Sequence, residues 1–203
     1  MNTAAPTTAA SGGSAAGEVD LAVVGDSLTA AGDTITTGTA ISDGDARPGD
    51  TSWLSGAGGP PLVIEGGWAR DGATTADMLR GMAEYDAPVL VVLAGTNDLL
   101  QGVPWESTRE NLLDIVDRAD VDRVVLSAVP PLDRDPQAPV GLNPRLADLA
   151  ENEGWQFVDP WSDFASDGSF RAGSSADGVH PTPMVAFAVG RTIRQAVLGG
   201  AGG

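Results

Sequence analysis

The chain contains one histidine, His180, and Asp177 stands three residues before it in Asp177-Gly178-Val179-His180-Pro181. An imidazole can take the proton from a serine hydroxyl near neutral pH, and a serine so relieved attacks acyl carbons. Asp177 can reach back to the other ring nitrogen and fix the tautomer, and Pro181 stiffens the chain beside the histidine. The serine that suits this role is Ser27, in Gly25-Asp26-Ser27-Leu28. Acyl transfer also builds negative charge on the carbonyl oxygen, which needs aimed donors. Three are available: the amide of Asn97 in Gly95-Thr96-Asn97-Asp98, the backbone N–H of Ser27, and that of Gly72 in Ala69-Arg70-Asp71-Gly72-Ala73. Gly72 also suits a place where a side chain would block the substrate. Each motif alone has a plainer reading. Gly-Asp-Ser and Asn-Asp are common helix caps, and a loop histidine is usually just solvated.

These motifs gain force from the elements that must carry them. Short apolar runs at Val19–Val24, Pro61–Glu65, Pro88–Ala94, Arg123–Ala128 and Trp155–Val158 read as strands. Helical stretches alternate with them at Thr75–Glu84, Trp105–Arg118, Asn143–Asn152 and Pro183–Val197. Asn143 suits an N-cap with Pro144 in the first turn, and Thr182 suits one ahead of Pro183. That order predicts a parallel five-stranded sheet covered on both faces, a three-layer α/β/α sandwich. The strands' C-terminal ends then share one edge, where ligands bind. Ser27 follows the first strand and Asn97 the third, so both reach that edge. His180 can join them if the last helix packs back along the sheet.

Residues 32–59 fit neither a strand nor a long helix, and a connection of that length is usually functional or disordered. Asp43, Asp45 and Asp50 invite a calcium reading, but Arg47 stands where an EF-hand loop needs Asp or Asn. Trp53 in this loop and Trp68 just before Gly72 are candidates to line an acyl pocket, as are Leu99 and Leu100 after Asn97. Trp155 and Trp161 flank a strand and read as core. Pro130–Val140 leaves the fourth strand as a rim loop.

Composition excludes several alternatives. A net charge of −17 disfavours nucleic acid and anionic membranes as partners. No run approaches the length needed to span a bilayer, so no stable membrane insertion is expected. All 11 basic residues are Arg, so a G-x-x-x-x-G-K-[ST] phosphate loop is impossible. With one His and no Cys, a nitrogen- or sulfur-rich zinc site cannot be assembled. We therefore expect no metal and no cofactor, a small-molecule ester as the partner, and no protein partner. Residues 1–17 and 199–203 read as flexible tails around a single domain at 18–198. The first segment lacks a signal peptide's basic start and apolar run. It suits a remnant left after a signal was removed, favouring an extracytoplasmic location over a cytoplasmic one.

Taken jointly and in this order, the four blocks resemble those of the SGNH hydrolases, the GDSL esterase/lipase family, across about residues 19–198. Gly25-Asp26-Ser27-Leu28 matches the first block, Gly72 the second (with Gly66 and Gly67 as nearby alternatives), Gly95-Thr96-Asn97-Asp98 the third and Asp177 to Pro181 the last. The resemblance implies a flavodoxin-like fold. It also implies a Ser27–His180–Asp177 catalytic unit with Ser27, Gly72 and Asn97 around the oxyanion. A serine esterase acting through an acyl-enzyme is expected, on short-chain esters such as acetylated carbohydrates. An acyltransferase, thioesterase or lysophospholipase would use the same residues. An inactive binding module would be expected to have lost one of them.

Overall fold

The computed structural model describes residues 17–32, 35 and 49–200. Five parallel strands form the sheet: β1 (Val19–Gly25), β2 (Leu62–Ala69), β3 (Val89–Leu93), β4 (Arg123–Ser127) and β5 (Gln156–Val158). Their spatial order is β2-β1-β3-β4-β5. The chain thus builds outward from β1 on one side, then returns to the other through β3. The crevice at this reversal opens between the C-terminal ends of β1 and β3, where ligands bind in open α/β sheets.

Side chains alternate across the sheet and feed two cores. Leu21 and Val23 of β1 and Val89, Val91 and Leu93 of β3 face one core with the last helix. Ala22, Val24, Leu90 and Val92 face the other. Burying each such Val or Leu stabilises the fold by roughly 1.5–3 kcal/mol. On the first side lie two short helices, α1 (Ser27–Ala30) and α2 (Leu54–Ala57), and the last helix. On the second lie α3 (Thr75–Gly81), α5 (Trp105–Ala119) and α6 (Gln137–Glu153), with α4 (Thr96–Gln101) at the sheet edge. A hairpin of β6 (Ala165–Ser166) and β7 (Ser169–Phe170) precedes α7 (Pro183–Gly199). α7 starts after Thr182 with Pro183 in its first turn. The three-layer α/β/α sandwich expected from the sequence is therefore observed.

Three elements depart from the sequence reading. β2 continues past Glu65 to Ala69. Gly66 and Gly67 interrupt its apolar pattern, and Gly67 lets the strand approach β1. Gly67 has φ +156° and a Cβ there would stand 2.2 Å from the Val23 carbonyl oxygen. α3 stops at Gly81 instead of Glu84, as Met82 turns to extended backbone, and the Trp68 ring is seated on Gly81 where a Cβ would collide with it. α6 begins at Gln137, not at Asn143, and runs through Pro144. Asn143 does not cap it. Its side chain accepts from Val129 N at 2.9 Å and donates to Val129 O at 3.1 Å, locking the helix to the exit of β4. The expected rim loop is thus helical from Gln137 onward. Asp43, Asp45 and Arg47 lie outside the described residues, as do most of both tails. Within 32–59, Ile35 pairs with Ala69 and α2 forms at Leu54–Ala57.

Candidate active site

Gly25 ends β1 and the chain turns at once into α1. The turn is capped by Asp26, whose Oδ1 accepts from Leu28 N at 3.0 Å. Capping and chemistry are thereby divided between neighbours, since Asp26 satisfies the helix end and Ser27 keeps its hydroxyl free. Asp26 is wholly buried, and that burial pushes its carboxyl up to about 7, against the bond from Leu28 N–H. The backbone N–H of Ser27 sits in the first turn of α1, where it has no intrahelical partner.

The Ser27 Oγ lies 2.9 Å from His180 Nε2. On the other side of the ring, His180 Nδ1 lies 2.7 Å from Asp177 Oδ2. The carboxylate fixes the tautomer with its proton on Nδ1, leaving Nε2 as the acceptor that faces Ser27. Asp177 is itself held by its loop, because Oδ1 accepts from Val179 N at 2.9 Å and from His180 N at 2.7 Å. Partial burial works against its ionisation. The His180 ring and the two N–H groups outweigh that and hold the carboxyl well below the usual carboxylate range.

Two contacts shape this loop. Ser175 Oγ donates to the His180 carbonyl at 2.6 Å and accepts from Gly178 N at 2.9 Å. Asp133, just beyond β4, donates its backbone N–H to the Gly178 carbonyl at 3.0 Å. It also accepts from Phe170 N at 2.8 Å, tying the loop to β7. Neither Ser175 nor Asp133 was legible as a positioning residue in the sequence. A serine two residues before Asp177 is the only local signal.

Asn97 sits on α4 at the end of β3, across the crevice from Ser27. Its Nδ2 donates to the Ala73 carbonyl at 3.0 Å and lies 3.4 Å from Asp26 Oδ2. The first contact carries Gly72 to the same crevice. Gly72 has φ +74° with open space where a Cβ would project, and its N–H has no partner among the described residues. Gly66 and Gly67 instead lie within β2, paired with Ala22 and Val23. Asp98 anchors α4 from below. It is 1% exposed and accepts from Thr75 N at 2.9 Å, Thr75 Oγ1 at 2.5 Å and Thr108 Oγ1 at 3.1 Å. Asn97 and Asp98 therefore do not act as a helix cap.

The GDSL-like lipase/acylhydrolase family model matches residues 23–184, from the strand before Ser27 to the start of α7. The chain belongs to this family. It is accordingly a carboxylic ester hydrolase. No curated protein matches the sequence. Among solved structures, the acylhydrolase resembles an acetylxylan esterase from Geobacillus stearothermophilus, a catalytic mutant, at 18% identity and TM-score 0.67. That match covers 91% of this chain and 96% of the other. A lipase/acylhydrolase from Enterococcus faecalis matches at 17% identity and TM-score 0.66, covering 89% and 96%. A GDSL-like lipase from Bacteroides thetaiotaomicron matches at 19% identity and TM-score 0.65, covering 89% and 88%. At these identities the likeness establishes the fold.

Of the residues expected to line an acyl pocket, two lie in the cores. Trp53 is 2% exposed, and its indole N–H donates to Thr29 Oγ1 at 2.9 Å. Trp68 is 6% exposed, with Arg70 over its ring at 5.4 Å. Both indoles fill interior volume, Trp53 against Thr29 of α1 and Trp68 against Gly81 of α3. Leu99 and Leu100 stay half-buried at the surface of the acylhydrolase, bordering a depression with Leu132 and Arg134. Trp161 is core, donating to Ala128 O at 2.9 Å, while Trp155 is only partly buried. Among the described residues, no group of three or more His, Asp or Glu is arranged to hold a metal ion. No helix among them is long and apolar enough to cross a membrane.

Proposed function

We propose that the chain hydrolyses short-chain acyl esters through an acyl-enzyme on Ser27, with acetylated carbohydrates as the substrate class. The observation that carries this reading is the unbroken path Ser27 Oγ, His180, Asp177, at 2.9 and 2.7 Å. Ser27 Oγ attacks the ester carbonyl carbon while its proton passes to His180 Nε2. The carbonyl oxygen becomes an oxyanion that accepts from the Ser27 and Gly72 N–H groups and from Asn97 Nδ2. For Asn97, the 3.4 Å contact with Asp26 is the one an oxyanion can replace. Collapse expels the alcohol, which takes the proton back from His180. Water then attacks the acyl carbon with His180 as base, and the acid leaves as Ser27 regains its proton.

The short-chain part rests on the burial of Trp53 and Trp68, which removes the two largest aromatic candidates for an acyl pocket. An added methylene stabilises binding by up to about 0.8 kcal/mol only where it can be buried. The fold's likeness to an acetylxylan esterase agrees with acetyl transfer from a sugar. The test combines a fluorophosphonate with p-nitrophenyl esters from acetyl to palmitoyl. Ser27 should be the one labelled residue, and kcat/KM should fall beyond roughly four acyl carbons. Labelling that survives Ser27→Ala would refute the nucleophile. A maximum at eight carbons or longer would transfer the substrate class to lipids or thioesters.

A further inference from the structure

The helix that carries Ser27 cannot hold its own shape. α1 is a single turn of four residues, and a turn that short is not stable alone. Its last carbonyls find no partner within it. Two of them are taken up from far along the chain. Trp53 N donates to the Leu28 carbonyl at 3.2 Å, and Ser52 Oγ donates to the Thr29 carbonyl at 2.6 Å. The Trp53 indole N–H adds a third bond, to Thr29 Oγ1 at 2.9 Å. Ser52 is wholly buried, and its oxygen also accepts from Leu54 N at 3.1 Å, which leaves its proton for Thr29.

The same segment is fastened to α7 on its other side. A Cβ on Gly56 would overlap the Phe187 carbonyl oxygen, and one on Gly190 would overlap the Trp53 carbonyl oxygen. The two backbones therefore meet without an intervening side chain. Arg194 of α7 donates to the Ala57 and Gly59 carbonyls at 2.8 and 2.6 Å. α7 itself begins at Pro183, three residues after His180. Residues 52–59 thus join the helix that carries the nucleophile to the helix that follows the base. The reaction proposed above assigns them no part, although a connection as long as 32–59 is more than an ordinary link needs.

We propose that Ser52 and Trp53 are positioning residues for the nucleophile. By bonding Leu28 and Thr29 they hold α1 against α7. They thereby set the 2.9 Å contact of Ser27 Oγ with His180 Nε2, and the direction in which the Ser27 N–H points at the oxyanion. The inference rests on the Ser27 reading and adds to it the element that keeps the nucleophile in place. A purely structural role for the same bonds gives a different result: a lower melting temperature, with unchanged turnover in the folded enzyme.

Three variants remove these bonds: Ser52→Ala, Trp53→Phe and Thr29→Val. Each is assayed well below its melting temperature on p-nitrophenyl acetate, and the rate at which a fluorophosphonate labels Ser27 is measured beside it. The kcat and the labelling rate should fall together by roughly tenfold, with KM within about twofold of wild type. Thr29→Val and Trp53→Phe break the two ends of one bond, so the double variant should lose no more than the worse single one. Ile193→Val trims the same core from α7, and should lower the melting temperature while leaving kcat unchanged. A wild-type enzyme that the fluorophosphonate does not label at Ser27 refutes the Ser27 reading itself. With Ser27 labelled, the positioning role is overturned by wild-type kcat in Ser52→Ala and Trp53→Phe, or by a loss confined to KM. Additive losses in the double variant, or an equal loss of kcat in Ile193→Val, would also overturn it. Should Trp53→Phe fail to fold, the kcat and labelling rates of Ser52→Ala and Thr29→Val decide by the same criteria.

Discussion

Asp133 and Gly178 are joined backbone to backbone at 3.0 Å, which fastens the end of β4 to the loop that presents His180. The contact is close as well as bonded. A Cβ at Gly178 would stand 2.7 Å from Asp133 Cβ, on a residue with φ +78°. Gly178→Ala should therefore strain the loop by about 1–3 kcal/mol and move the imidazole off the Ser27 hydroxyl. We expect kcat on p-nitrophenyl acetate to fall at least about tenfold, with a smaller proportional effect on global stability. Wild-type kcat in this variant would show that the Asp133 contact does not position His180.

The pH dependence of the rate separates the parts that His180 and Asp26 play in the crevice. A base at His180 must be neutral to accept the Ser27 proton, so kcat/KM should rise with pH along one ascending limb. Asp26, pushed up to about 7, could in principle produce a limb of its own. Asp26→Asn removes the second group and should keep the limb. His180→Ala should abolish the limb and lower the rate by several orders of magnitude. Asp177→Asn should retain the fold and lose much of the rate, since the ring loses its tautomer control. A limb that vanished in Asp26→Asn would reassign the titration.

Asp98 supports the oxyanion side without touching the reacting atoms. Removing its carboxylate as Asp98→Ala leaves the buried Thr75 N–H and hydroxyl without their acceptor, and Thr108 with only the longer contact to the Pro104 carbonyl. The cost should be about 3 kcal/mol or more, read as a lowered denaturation midpoint. The milder Asp98→Asn should keep most of the stability while loosening α4 and Asn97. In that variant kcat should fall more than KM changes. Unchanged kcat would show that the Asp98 bonds do not position Asn97.

The layers and the site blocks were legible because each leaves a local mark. Buried parallel strands read as apolar runs, and Ser27, Asn97 and His180 stand at the ends of such runs or beside a helix start. Gly66 and Gly67 concealed the second half of β2, because neither offers the side chain that would reveal a strand, and at Gly67 the close approach of Val23 leaves room for none. Asn143 resembled a cap because capping and long-range bonding to Val129 call for the same side chain. Trp53 and Trp68 resembled pocket residues since one stands in the long loop and the other just before Gly72. Their partners, Thr29 of α1 and Gly81 of α3, become visible only once the layers are assembled. The roles of Ser175 and Asp133 depend on contacts with Gly178, and only the folded loop discloses them.

Asp26 makes the last prediction, which concerns stability. Its carboxyl titrates at about 7 in the folded chain, against an ordinary value of 3.8. Between those values the native state holds a proton that the unfolded chain has released, so its contribution to stability falls as pH rises. Asp177 has the opposite sign. Its depressed carboxyl adds stability above the ordinary carboxylate value and loses it as pH falls toward the folded one. Above pH 7, then, the fold carries a buried charge at Asp26 that a neutral isostere would avoid. Asparagine caps helices about as well as aspartate, so Asp26→Asn can preserve the bond from Leu28 N–H. The variant should melt at nearly the wild-type temperature near pH 4 and clearly above it at pH 8, while turning over substrate more slowly because Asn97 loses its anionic neighbour. Thermal melts from pH 4 to 8 decide the matter. A variant less stable than wild type at pH 8 would mean that the buried carboxylate supports the fold instead of straining it.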